Sequence, residues 1–177
     1  MDLDIIITSA IIIAFCVIPM IVINVKQNLK KKRTREILHV LAKDKSVEIE
    51  STELCGDLGV GITKNKEGFV FYNKHENGFE EKHFILLSDI KSCNFIRTNL
   101  SSSSIKIKKL ILNFEYHDKS KAILSLEFYN SDENFQLSGE LQLVEKWKPI
   151  VDRAIEFQTS IRRMTHTQKR TPKAIAV

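Results

Sequence analysis

The chain has 177 residues and a formal net charge of +5, with 27 lysine and arginine residues against 22 aspartate and glutamate residues. This length fits one domain. The positive charge lies on two flanks: residues 26–35 carry six basic side chains and residues 162–177 carry five, whereas residues 36–161 have a net charge of −4. Nucleic-acid-binding domains carry positive charge on the folded face, so the distribution excludes that class.

The first element is an uncharged apolar segment at Ile5–Val25. About 21 residues at 1.5 Å each give about 31 Å of helix, which matches the hydrocarbon core of a bilayer. We therefore predict a single transmembrane helix within residues 1–25. A buried core helix and a cleaved signal peptide are the alternatives. A signal peptide begins with basic residues, whereas this chain has Asp2 and Asp4 before the apolar segment. No small-residue cleavage site follows the segment, so the sequence favours an uncleaved membrane helix.

A basic collar follows the apolar segment directly. Its members are Lys26, Lys30, Lys31, Lys32, Arg33 and Arg35. Since lysine and arginine stay on the cytoplasmic side of a membrane, we predict an inner-membrane protein with its N-terminus outside and its C-terminal domain in the cytoplasm. The collar either attracts anionic lipid headgroups, at about 1 kcal/mol per basic residue, or only sets this topology.

Residues 26–46 combine apolar and charged positions at helical spacing, which predicts a juxtamembrane helix or linker. It either continues the membrane helix or forms a separate one.

Short alternating runs then predict strands. They are Val47–Ser51, Leu58–Thr63, Phe69–Tyr72 and Lys82–Leu87. Asn77-Gly78 between the last two predicts a hairpin with a type I′ turn.

The second half of the chain begins with a predicted strand at Ile90–Thr98 and a polar loop at 99–104. A hairpin follows, in which alternate residues of Leu110–Tyr116 and of Ala122–Phe128 are apolar. From Leu137 to Ile161 the apolar residues form one stripe of an amphipathic helix. Ser138 is its predicted N-cap, and Pro149 either kinks the helix or starts its second half.

These elements predict an α+β or mainly-β domain over residues 47–163: a curled antiparallel sheet of about seven strands, capped by the C-terminal helix. The apolar stripe of the helix plugs the open end of the sheet, with Trp147 as the main plug. Residues 164–177 are predicted to be a disordered basic tail.

The residues that could carry chemistry form no recognisable catalytic or metal-binding motif. Histidine and cysteine lack short metal-ligand spacings. The glycine-rich segment CGDLGVGITK lacks the lysine-serine or lysine-threonine end of a phosphate loop and predicts a strand. We interpret His75 and His117 as solvated turn residues, His83 as a solvent-facing strand residue, and the acidic pairs Glu80-Glu81 and Asp132-Glu133 as solvated. We therefore predict no catalytic residue, cofactor or metal.

Residues 47–161 resemble the pleckstrin-homology-like superfold in its bacterial, membrane-anchored form. The segments that carry the resemblance are HFILLSDIKSCNFIRT, KKLILNFEYHDKSKAILSLEFYN and LQLVEKWKPIVDRAIEF. The resemblance implies a non-catalytic module that binds lipid headgroups, peptides or proteins. Domains of this kind that bind phosphoinositides present several basic residues around the first hairpin. Here that region has Lys64 and Lys66 beside Glu67, and no arginine.

The sequence thus favours a membrane-anchored, non-enzymatic interaction or scaffolding module. Its partner is expected to be another protein, through strand addition at a sheet edge, or a second copy of the chain held in the same membrane. The sequence indicates neither nucleic acid nor a small-molecule substrate as a partner. The alternatives are a module that binds lipid headgroups and an enzyme or enzyme subunit of the cell envelope.

Overall fold

The computed structural model describes residues 3–101, 106–134 and 136–168, without the side chains of residues 3–14, 16 and 165–168. It is an α+β fold with a helix at each end and two antiparallel sheets between them. The elements in chain order are α1 (Leu3–Lys43), β1 (Ile49–Cys55), β2 (Leu58–Thr63), β3 (Gly68–Lys74), β4 (Glu80–Leu86), β5 (Ile90–Asn99), β6 (Ile107–Tyr116), β7 (Leu124–Asn130) and α2 (Glu140–Gln168).

The seven strands form two sheets, so the prediction of one curled sheet is wrong. Strands β1 to β4 make a four-stranded sheet and β5 to β7 a three-stranded sheet, each in sequence order. The division occurs at a 3₁₀ helix, Leu87–Asp89, between β4 and β5. Leu87, which begins this 3₁₀ helix, and Ile90, which follows it, are fully buried, and the chain leaves the hydrogen-bonded ladder of the first sheet at this point.

Aromatic side chains from both sheets fill the space between them. Phe69 and Phe71 of β3 face Phe114 of β6 and Phe128 of β7, with ring centroids 5.7 Å apart for the first pair and 5.3 Å for the second. Tilted ring pairs at such distances are favourable beyond the apolar area that they bury. This contact holds the two sheets face to face.

Helix α2 closes the core, and Trp147 is buried against it as predicted, with 2% of its surface exposed. The indole lies 6.1 Å from the Phe69 ring, measured between centroids. Its Nε1–H donates to Glu53 Oε2 on β1 at 2.8 Å, so the polar edge of the ring is also satisfied.

The ends of α2 differ from the prediction. The helix begins at Glu140 after Gly139, whose φ of +130° is open only to glycine, so Ser138 is not the N-cap. It passes through Pro149 without ending and continues to Gln168, beyond the predicted end at Arg163. No glycine or proline interrupts the helix after Pro149. The predicted tail beyond Gln168 lies outside the described residues.

The hairpin predicted at Asn77-Gly78 is present, but its turn is of another kind. Gly78 has a φ of +85°, whereas Asn77 does not have the positive φ that a type I′ turn requires. The amide of Gly78 donates to the carbonyl of His75, and the amide of His75 donates to the carbonyl of Phe79, both at 2.9 Å. The connection is therefore a three-residue loop with a glycine bulge.

Helix α1 is continuous from Leu3 to Lys43, so residues 26–43 of the predicted juxtamembrane segment continue the N-terminal helix. Its C-terminal part packs on the outer face of the four-stranded sheet. Leu38 and Ala42 are almost completely buried there, and Leu38 contacts a small apolar cluster that contains Val70 and Tyr72 of β3. The helix and the sheet thus form one body.

Among the residues that the structure describes, no helix has both the length and the mean hydropathy of a membrane span. The predicted span, Ile5–Val25, lies in large part outside the described side chains, which begin in α1 at Phe15 and then at Val17.

We predict that Leu38→Ala lowers the free energy of unfolding by about 2–5 kcal/mol, because it opens a cavity between α1 and the sheet. The matched variant Val40→Ala removes an exposed side chain of the same helix and should change it by less than about 0.5 kcal/mol. Urea unfolding of the full chain in detergent, followed by the fluorescence of the single tryptophan, measures both. Equal midpoints for the two variants would contradict this packing.

Candidate functional site

The described residues form a cleft of about 600 Å³ at one end of the two sheets. Four parts of the chain line it: the β1–β2 turn, the β3–β4 turn, the end of β7 with the segment that follows it, and the start of α2. Lys30 of α1 also reaches this cleft. The side chain of Asn73 on β3 ties the two sheets together here, because its Nδ2 donates to the carbonyl of Glu127 on β7 at 3.0 Å.

Two residues of the predicted collar contact the domain. Lys30 Nζ lies 2.9 Å from Asp57 Oδ2 in the β1–β2 turn, and Arg33 donates to Glu80 Oε1 at 3.0 Å at the start of β4. Of these two ion pairs, only Lys30–Asp57 lies at the cleft.

No ion pair between the other collar residues and the sheets is found among the described residues. Lys32 approaches Glu36 of the same helix at 4.0 Å. Lys26, Lys31 and Arg35 are exposed and make no ion pair with any residue that the structure describes. The function predicted for the collar, in lipid attraction or topology, stays a prediction for these residues.

A cluster of histidine and glutamate side chains lies at the cleft, centred on His75. Its Nδ1 is 2.8 Å from Glu133 Oε2, in the segment between β7 and α2, and its Nε2 is 3.5 Å from Glu81 Oε2 on β4. The other oxygen of Glu81 lies 2.9 Å from His83 Nε2. Both ring nitrogens of His75 are therefore next to carboxylates.

Glu127 of β7 completes the cluster from the second sheet. Lys109 Nζ donates to its Oε2 at 3.1 Å. One ligand atom each from His75, Glu127 and Glu133 lies within 4.8 Å of the others. Three separate parts of the chain thus bring a nitrogen and two carboxylate oxygens together.

The surroundings of His75 raise its pKa above the ordinary value of 6.5. Burial acts in the opposite direction and is the largest single effect, because it disfavours the charged ring. The hydrogen bonds and negative charges of Glu133 and Glu81 together outweigh it, since both stabilise the imidazolium form.

Several residues of this cluster were expected to be solvated, and the structure corrects this. Only 12% of the His75 side chain and 16% of the Glu81 side chain are exposed, while Glu133 is ion-paired. His83 is partly buried and bonded to Glu81. The β3–β4 turn packs against β7 and the segment after it, a contact between residues 58 positions apart that no local pattern signals.

The cysteines and the glycine-rich segment have structural surroundings. Burial, with Glu140 nearby, raises the pKa of Cys55 to about 11, and burial raises the pKa of Cys93 to about 12. Both thiols are therefore protonated and poorly nucleophilic at neutral pH. The glycine-rich segment forms strand β2, as predicted.

Comparison with known proteins found no match to a family model, a curated protein or a solved structure.

Because the pKa of His75 is raised on folding, its ion pairs contribute stability that is complete below the unfolded value of about 6.5 and is lost as the pH rises through the folded value. We predict that Glu133→Gln reduces this loss, since the substitution removes one of the two carboxylates that stabilise the charged ring. Urea midpoints between about pH 6 and 8.5, in the presence of a chelator, measure the effect.

The neighbouring variant Asp132→Asn is the control, because Asp132 is exposed and makes no ion pair among the described residues. It should keep the pH dependence of the original chain. The ion-pair assignment would be wrong if Glu133→Gln and Asp132→Asn gave the same slope of stability against pH.

Proposed function

We propose that the protein is a single-pass inner-membrane protein that presents a non-catalytic, pleckstrin-homology-like interaction domain to the cytoplasm. The observation that carries the proposal is the continuity of α1, which runs without a break from the apolar segment to its packing site on the four-stranded sheet. An unbroken helix gives the domain a fixed orientation relative to its anchor, as a module that presents a binding surface requires.

The number and order of elements support the pleckstrin-homology-like part of the proposal. Seven antiparallel strands are followed by one C-terminal helix whose apolar stripe closes the core. The apolar composition of Ile5–Val25 and the basic residues directly after it support the anchor and its direction.

In the proposed arrangement the cleft lies close to the membrane surface. Lys30 follows the end of the predicted span by five residues, a rise of about 7.5 Å along the helix. Its ion pair with Asp57 brings the β1–β2 turn to the same height. Phe79 at the nearby β3–β4 turn, with 62% of its surface exposed, places an apolar ring at the same end of the domain.

The charge of the cleft favours a protein partner over an anionic lipid headgroup. Five acidic residues line the cleft, against two lysines and His75. The acids are Asp57, Glu76, Glu127, Glu133 and Glu140. One of the lysines, Lys30, is already paired with Asp57. A surface of this kind repels phosphate groups and attracts cationic or hydrogen-bond-donating side chains.

We expect the domain to be inaccessible from outside intact cells. A cysteine placed at the exposed turn position Lys119 (Lys119→Cys) should react with a membrane-impermeant maleimide only after lysis. The original chain is the control, because it measures any labelling of the natural cysteines. Of these, Cys55 is partly buried and Cys93 is buried. Labelling of Lys119→Cys in intact cells would overturn the cytoplasmic orientation.

A photoreactive amino acid at Lys74, which lines the cleft, should crosslink to a discrete protein in native membranes. Reversing a neighbouring charge of the cleft with Glu76→Lys should lower the yield several-fold, because the partner is attracted by negative charge. Glu145→Lys, an exposed α2 position outside the cleft, should leave the yield unchanged.

The identity of the adduct separates the proposed function from its alternatives. Adducts with phospholipid alone would establish the lipid-binding alternative in place of a protein partner. The absence of any adduct at Lys74 would overturn the assignment of the cleft as a binding surface.

A further inference from the structure

We propose that His75, Glu127 and Glu133 form a binding site for a divalent transition-metal cation, with zinc as the first candidate. The proposal is independent of the proposed function. It depends on the arrangement of the side chains in the cleft.

The three ligand atoms are close enough to share one ion. They lie within 4.8 Å of one another, and His75 Nδ1 is 2.8 Å from Glu133 Oε2. Zinc–ligand bonds of about 2.0–2.2 Å at tetrahedral angles place neighbouring ligand atoms about 3.3 Å apart. Side-chain movements of about 1.5 Å or less therefore convert the observed cluster into a coordination shell.

His75 has the support that a metal-bound histidine requires. Metal-ligating histidines donate the second ring N–H to a carboxylate or carbonyl, which fixes the tautomer and the orientation of the ring. Nε2 of His75 faces Glu81, and Glu81 is itself positioned by His83 on the same strand. The Phe79 ring, 5.7 Å away between centroids, packs beside the imidazole.

The side chains of the cluster carry an excess of negative charge, which a divalent cation can balance. The carboxylates of Glu81, Glu127 and Glu133 come from β4, from β7 and from the segment between β7 and α2. Lys109 of β6 pairs with Glu127, and His83 of β4 contacts Glu81. The carboxylates are only 16–31% exposed, so water screens their mutual repulsion less than on an open surface.

The donor set favours a transition metal over calcium or magnesium. Imidazole nitrogen with carboxylate oxygen suits zinc, iron or cobalt, whereas calcium takes six to eight oxygen ligands and magnesium keeps several waters. Since the three ligands face an open cleft, water or a group from a bound partner can occupy the remaining coordination position.

Cobalt titration of the untagged full chain in detergent, after treatment with a chelator, tests the site. We expect one equivalent of Co²⁺ to give visible absorption bands that one equivalent of Zn²⁺ removes. Glu127→Gln, Glu133→Gln and His75→Asn should each weaken binding at least tenfold. Glu81→Gln should weaken it by about 10–100-fold through the orientation of His75.

The matched control is Asp132→Asn, because Asp132 is exposed, lies next to Glu133 and does not line the cleft. It should stay within threefold of the original affinity. Tryptophan fluorescence and the urea midpoint show whether each variant is folded, and the near-isosteric glutamine variants decide the result if His75→Asn unfolds.

Three results would overturn the proposal. They are the absence of saturable Co²⁺ binding, an affinity that Glu127→Gln and Glu133→Gln leave within threefold of the original, and equal affinity for Ca²⁺ or Mg²⁺. None of them depends on whether a protein partner is found.

Discussion

The close packing of α1 on the four-stranded sheet is the contact on which the arrangement of the whole molecule depends. Gly59 on β2 makes it possible: a Cβ atom at this position would lie 2.7 Å from Thr34 Cγ2 and 3.0 Å from Leu38 Cδ1. A larger residue at this position would force Thr34, Leu38 or Leu54 to shift. With glycine there, Leu38 reaches the sheet surface, and Lys30 and Arg33 come close to Asp57 in the β1–β2 turn and Glu80 at the start of β4. The helix thereby contributes Lys30 to the lining of the cleft.

The division into two sheets explains why the charged cluster lies where it does. Large apolar residues fill the space between the two sheets. At the end of the sheets where the cleft lies, the surrounding chain consists mainly of turns. There, His75 of the β3–β4 turn can approach Glu127 of β7 and Glu133 of the following segment without crossing the apolar core. Partial burial strengthens every pair in the cluster, because less water separates the charges than on an open surface.

Local sequence patterns predicted the strands and helices well, but they could not predict contacts between residues that are far apart in the chain. Alternation of apolar residues identified the β6–β7 hairpin, and the period of the last apolar stripe identified α2 with Trp147 in the core. The sequence predicts a break between Leu87 and Ile90, but local alternation does not show whether two consecutive strands pair in one sheet, so the division into two sheets was missed. The partial burial of His75 and Glu81 was also missed, since their polar neighbours in sequence are typical of solvated turns. Only the fold brings Glu133 and Glu127 beside them.

Because α1 is unbroken, the rotation of the domain around the helix axis depends on the number of residues in the helix. Each residue of an α-helix turns the chain by about 100° and advances it by about 1.5 Å. In the proposed arrangement, adding one residue between the apolar segment and Lys30 would rotate the entire domain by about 100° around the axis of its anchor, with almost no change in height. In this arrangement, the number of residues between the apolar segment and Lys30 sets the rotation of the domain around its anchor. This rotation determines the side from which a neighbouring protein in the membrane can approach the cleft.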